Sequence, residues 1–106
     1  AALGTLLARR ETGELDLAVV DVRSPHERAA GMIPGAIGVE VHDLATSGAA
    51  ALPPAARGCD LVLYCQSGVR SAFALRVLRP HFAAREESVR HLDGGYDAWL
   101  RAGRQG

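Results

Sequence analysis

Two short runs, apolar but for Asp21, constrain this chain most: Leu17-Ala18-Val19-Val20-Asp21-Val22 and Leu61-Val62-Leu63-Tyr64. Neither alternates apolar with polar residues, so each reads as a strand buried on both faces. Such strands need helices above and below them, and the intervening segments supply helical patterns. Leu3, Leu6 and Leu7 repeat at helical spacing, which predicts an amphipathic helix over residues 2–11 that ends near Gly13. Ser24-Pro25-His26-Glu27 is a helix start: serine at the cap, proline in the first turn, and glutamate three residues after the cap. Gly31 and Pro34-Gly35 keep that helix short.

Ala36 to Val41 is a candidate strand, and Asp43 is placed to cap a weak helix after it. Ser47-Gly48 and Pro53-Pro54 mark an irregular connection. Ala72 to Leu78 is the next helix, with Ala74, Leu75 and Leu78 on one face and Arg76 and Arg79 on the other. Ser88 to Leu92 is the last strand, Gly94-Gly95 a turn, and Tyr96, Trp99 and Leu100 a final amphipathic helix. Tyr96 and Trp99 read as core residues. Alternating strands and helices imply an α/β fold with a parallel sheet, and ligands of such sheets bind beyond the carboxyl ends of the strands. Arg23, Cys65 and Asp93 fall at such ends.

The 106 residues form one domain, and 48% apolar content is enough for a core. Twelve arginines balance twelve acidic residues, which gives no support for nucleic acid or an anionic membrane surface as a partner. No apolar stretch is long enough to span a bilayer. Two cysteines make no disulfide framework, and four scattered histidines (His26, His42, His81, His91) lack metal-ligand spacing. No metal and no cofactor are expected. The histidines read as structural or surface residues, and a reducing, cytoplasmic setting is the default.

The chemistry concentrates in Cys65-Gln66-Ser67-Gly68-Val69-Arg70-Ser71. A cysteine at a strand end, a short glycine-containing loop and a helix start together describe an anion cradle. Loop N–H groups converge on one point and the helix N-terminus adds partial positive charge. A thiol held there ionises more easily than a free one. Cys59 lies before the strand, beside Gly58, without basic or glycine-rich surroundings, and reads as a bystander.

Four segments, in order, resemble the rhodanese domain, a sulfurtransferase family with a catalytic cysteine at a strand end. Asp21-Val22-Arg23 followed by Glu27 resembles the family's first motif. Gly31-Met32-Ile33-Pro34-Gly35-Ala36 resembles its Gly-His-Ile-Pro-Gly-Ala segment, with Met32 in place of the histidine. Tyr64 to Ser71 resembles the active loop, and Leu92-Asp93-Gly94-Gly95-Tyr96-Asp97-Ala98-Trp99 resembles the closing motif. The resemblance implies a three-layer rhodanese-like fold, with a central parallel sheet of about five strands and helices on both faces.

It also implies ping-pong sulfur transfer. Cys65 is the expected nucleophile, carrying sulfane sulfur as a persulfide. Gln66, Ser67, Gly68, Val69, Arg70 and Ser71 are expected to bind substrate: N–H groups stabilise the anions, Arg70 orients an anionic donor, and the Ser67 and Ser71 hydroxyls bond sulfur. Arg23, near the pocket mouth, is a further substrate-binding candidate, while Asp21, Arg23 and Glu27 are expected to share a hydrogen-bonded set. A small sulfur donor is the expected partner: thiosulfate, a mercaptan or a desulfurase persulfide. The acceptor is cyanide, a thiol or a ubiquitin-like sulfur carrier protein. The loop most resembles those of rhodanese domains fused to adenylyltransferases of molybdopterin and thiamine sulfur transfer, and the start at Ala1 fits such a fused origin.

Two other readings stand beside this one. A phosphatase or arsenate reductase uses a similar fold but carries Cys-x5-Arg, whereas Cys65 to Arg70 is Cys-x4-Arg. A non-catalytic interaction module would keep the fold, but retention of Cys65 and a full loop argues against it.

Overall fold

The computed structural model describes residues 3–82 and 89–103. Strands β1 (Leu17–Asp21), β2 (Ile37–Gly38), β3 (Asp60–Tyr64) and β4 (Val89–His91) form one sheet in the order β2-β1-β3-β4, and every pairing is parallel. Helices α1 (Leu3–Glu11), α2 (Pro25–Ala29), α3 (Val41–Ser47), α4 (Val69–Leu78) and α5 (Gly95–Arg101) surround it.

Side chains of β1 and β3 alternate between two cores, as the strand period requires. Ala18, Val20, Val22, Leu61, Leu63 and Cys65 enter one core with Leu44 of α3 and Ala74, Leu75 and Leu78 of α4. Leu17, Val19, Val62 and Tyr64 enter the other with Leu3 and Leu6 of α1 and Tyr96 and Trp99 of α5. Both faces are therefore covered, and the continuous apolar runs are a consequence of that arrangement. Among the described residues, no helix is long and apolar enough to cross a membrane.

Four strands occur among the described residues, rather than about five. Between β2 and β3 the chain forms α3 and two 3-10 turns, Gly48–Ala51 and Pro54–Ala56. Pro53 and Pro54 have no N–H to offer a ladder there. The 36–41 segment narrows to two paired residues because α3 already begins at Val41. Glu40, not Asp43, occupies its N-cap, and Asp43 sits in the first turn. Ala2 and Ser88, the expected first residues of a helix and a strand, lie outside the described residues. The α2 start matches its signature: Ser24 Oγ accepts from the Glu27 N–H, and Glu27 Oε1 accepts from the Ser24 N–H at 3.0 Å.

Beyond the ladder, the Val22 N–H donates to Tyr64 O at 2.9 Å and the Leu92 N–H to Leu63 O at 2.9 Å. These bonds carry the register past the strands. Arg23, Cys65 and Asp93 consequently emerge at one edge of the sheet.

Candidate active site

Cys65 follows β3 directly, and only 1% of it is exposed. The loop after it turns back at Gly68, whose φ of 109° lies in the left-handed region open to glycine. That turn aims α4 at the sulfur. The Gly68 N–H donates to Cys65 Sγ at 3.1 Å and the Ser71 N–H at 3.4 Å, while Ser71 Oγ lies at 3.6 Å. Burial pushes the thiol up. The N–H and hydroxyl of Ser71 and the N–H groups of Gly68 and Ser67 outweigh it, so the thiol lies below its ordinary value. Ser67 and Val69 face solvent, Val69 with 77% exposure.

The floor of the loop is held from α5. The Tyr96 N–H donates to Cys65 O at 2.8 Å and the Asp97 N–H to Gln66 O at 3.0 Å. Gly95, with φ 57°, lets the two backbones meet; a Cβ there would stand 2.7 Å from Gln66 O. The closing glycine pair is thus more than a turn, because it seats one backbone against another.

Arg23 does not stand at the pocket mouth. It is 2% exposed and lies beneath the loop. Its Nε and Nη2 grip both Asp21 oxygens, Nη2 donates to Gly31 O at 2.6 Å, and Nη1 donates to Gln66 Oε1 at 3.0 Å. The guanidinium also lies 4.4 Å from the Tyr96 ring centroid and 5.7 Å from that of Tyr64. A residue with so many partners supports the loop rather than meeting a substrate. Gln66 is engaged in the same way: its Nε2 donates to Asp97 Oδ1 at 2.6 Å, so its side chain ties Arg23 to α5.

Glu27 leaves the expected set with Asp21 and Arg23. It caps α2 and receives Arg70 through two bonds, Nη1 to Oε1 at 2.6 Å and Nη2 to Oε2 at 2.8 Å. Arg70 holds the Glu27 carboxyl down at about 2, against some opposition from burial, and the Ser24 N–H assists. Arg70 therefore stands at the loop as half of a bidentate pair. The Ile33 N–H of the second motif donates to Tyr64 Oη at 3.0 Å, so this segment braces β3, and Met32 beside it has no polar role among these bonds.

His91, one of the histidines expected to be structural or surface residues, reaches the loop. Its Nδ1 lies 3.1 Å from Ser71 Oγ. The signal available was its place one residue before the closing motif, at the end of a strand neighbouring β3. Cys59 sits at the opposite end of β3. Burial and the carboxylates of Asp16 and Asp60 push its thiol up. Among the described residues, no three His, Cys, Asp or Glu side chains cluster as a metal site.

Similarity to known proteins agrees with this geometry. The rhodanese-like domain family matches residues 3–102. A sulfurtransferase of Allochromatium vinosum is 37% identical over 97 residues, covering 92% of this chain and 84% of that protein. An HTH-type transcriptional regulator of Mycobacterium tuberculosis is 41% identical over 100 residues, but the chain spans only 40% of its length. The structure of a human single-domain sulfurtransferase superposes with a TM-score of 0.71 at 28% identity, covering 95% of this chain and 94% of that one. With a cysteine cradled beyond a parallel strand and a family match across nearly its whole length, this chain belongs to the rhodanese-like domains.

Proposed function

We propose that this domain is a sulfurtransferase that carries sulfane sulfur as a persulfide on Cys65. The carrying observation is the pair of N–H groups, from Gly68 and Ser71, that converge on Cys65 Sγ within a Cys-x4-Arg loop. They favour a thiolate there, and the thiolate is the nucleophile.

In the first half-reaction the thiolate attacks the outer sulfur of a donor such as thiosulfate. The new bond joins Sγ to that sulfur, the donor S–S bond breaks, and its electron pair leaves with sulfite. In the second, a nucleophilic acceptor attacks the terminal sulfur, and the electron pair of the broken bond returns to Sγ. Stabilisation of the anion at Sγ serves both halves, since Sγ begins and ends each cycle as thiolate. Arg70 supplies a cation beside the loop, and an oxyanion donor would share it with Glu27. Exposed Val69 and Phe73, one helical turn apart on α4, offer an apolar rim to an acceptor of protein size, such as a ubiquitin-like sulfur carrier.

Whole-protein mass spectrometry tests this reading. Incubation with thiosulfate is expected to add about one sulfur atom, removable by cyanide or a thiol, and a Cys65→Ser variant is expected to add none. An unchanged mass, together with turnover of an aryl phosphate, would replace the sulfur reading with the phosphatase one.

A further inference from the structure

Among the loop's side chains, Arg70 is the one shaped to hold an oxyanion, and a carboxylate already holds it. Glu27 occupies both terminal nitrogens of the guanidinium, Nη1 at 2.6 Å and Nη2 at 2.8 Å. A pair of oxygens on a sulfonate or on thiosulfate would need the same two N–H directions. Glu27 is ionised at neutral pH, since Arg70 holds its carboxyl down at about 2 against some opposition from burial. The two side chains are 37% and 30% exposed, so a dissolved anion can reach the pair.

Glu27 is also fixed from behind. Its Oε1 accepts from the Ser24 N–H at 3.0 Å and the Ser24 hydroxyl at 3.2 Å, besides Arg70 Nη1. Among the described residues, its Oε2 accepts only from Arg70 Nη2. A free anion competing for the guanidinium must displace a tethered carboxylate, which loses no translational freedom when it binds. The other guanidinium of the site offers no substitute, because Arg23 is 2% exposed beneath the loop and bonded to Asp21. Arg70 matters to the sulfur: Glu27 holds its guanidinium above the ordinary value against burial, and the charge of Cys65 adds to that effect.

We infer that Glu27 is a specificity-determining residue of this site: by filling the Arg70 fork, it disfavours free oxyanion donors such as thiosulfate relative to donors that bear their sulfur on a thiol. The persulfide of a thiol brings no oxygens on its sulfur for that fork, so the occupied guanidinium does not hinder it. The preference among sulfur donors rests on the persulfide reading above, whereas the masking of Arg70 acts on any anion that approaches Cys65.

The test compares two alkylating reagents on Cys65, in a Cys59→Ala background so that one thiol reports. Iodoacetate carries a carboxylate and iodoacetamide a neutral amide. Glu27→Gln keeps an oxygen in the Oε1 place for the α2 cap, removes the negative charge and releases Nη2. It is expected to raise the iodoacetate-to-iodoacetamide rate ratio about fivefold, the order of effect of one unit charge a few ångströms away in a hydrated setting. It is expected to raise kcat/KM for thiosulfate by a similar factor. Adding Arg70→Gln removes the unmasked cation and is expected to return the ratio to the parent value. An unchanged ratio in Glu27→Gln, including a fall in both rates together, overturns the proposal, as does a raised ratio that survives the loss of Arg70. A raised ratio with kcat/KM for thiosulfate unmoved overturns the donor preference. A raised ratio in a protein that gains no sulfur from any donor would uphold the masking of Arg70 and sink the persulfide reading instead.

Discussion

Cys59 and Cys65 bracket the same strand and differ in nearly every physical respect. Cys59 precedes β3, beside the carboxylates of Asp16 and Asp60, and burial together with those charges disfavours its thiolate. Cys65 follows β3, where a tight loop turns N–H groups and a helix start toward it, and its thiolate is favoured even though the residue is the more deeply buried. Parallel strands make this asymmetry general. Their carboxyl ends are followed by loops that lead into helix N-termini, so N–H groups collect at one edge of the sheet and C=O groups at the other. Burial alone would have raised both thiols; the direction of the surrounding backbone dipoles separates them.

The sharpest way to break the comparison is to remove each sulfur in turn. Cys65→Ala is expected to lower thiocyanate formation from thiosulfate and cyanide by at least about a thousandfold, the usual cost of deleting a nucleophile. Cys59→Ala is expected to leave it unchanged, and circular dichroism should show both variants folded. A fully active Cys65→Ala would end the claim that the two ends of β3 differ in function.

Next in size is the contrast between arginines. Arg23 is buried against Asp21, and Arg23→Met leaves an uncompensated carboxylate at 0% exposure. Urea unfolding should show a loss of about 3–5 kcal/mol. Arg57, exposed near the Cys59 end, donates to Leu52 O at 2.8 Å and Ala50 O at 3.3 Å. Arg57→Ala should cost about 0.5–1.5 kcal/mol. Comparable losses would show that the Asp21–Arg23 pair is no more important than a surface contact.

Two glycines give a smaller but cleaner comparison. Gly58 has φ 76° with open space around its missing Cβ, whereas Gly95 has φ 57° and backbone carbonyls in the way. Gly58→Ala should cost only the left-handed conformation, about 1–2 kcal/mol. Gly95→Ala should cost more in urea and also reduce sulfur transfer, since it pushes α5 off the carbonyls of Cys65 and Gln66. Equal costs with unchanged activity would remove the clamp from the account.

The smallest effect lies in the pH dependence of stability. The folded state holds Cys65 below the ordinary thiol value, so its contribution is present above about pH 8.5 and is lost as pH falls through the lowered folded value. Cys59 is held above its ordinary value, so its contribution is present below that pH and is lost as pH rises through the raised folded value. Unfolding free energies of Cys65→Ser and Cys59→Ala, measured from pH 6 to 10 against the parent, should therefore diverge with opposite slopes. Parallel slopes would contradict the opposite shifts.

Much of the fold was legible because the signals are local. The apolar runs at 17–22 and 61–64 specify strands buried on both sides, and Ser24-Pro25-His26-Glu27 specifies a helix start through bonds among neighbours. The loop of Cys65 was legible for the same reason. A strand end, a glycine and a helix start lie within seven consecutive residues, and their backbone groups need no distant partner to converge.

Long side chains were settled otherwise. A guanidinium reaches several ångströms from its own backbone, and its partner is whichever group the packed elements bring there. Arg23 bonds Gln66 and Arg70 bonds Glu27, each 43 positions away, and Ser71 meets His91 across 20. Sequence placed Arg23 at the correct edge of the sheet but not at its depth, and read Glu27 with Asp21 rather than with Arg70. By itself the sequence determined a parallel α/β domain with a cysteine opening a glycine-containing loop beyond a buried strand. Only the tertiary structure decided which residues hold that cysteine's loop in place, because register between β1, β3 and β4 fixes those meetings and no short segment encodes it.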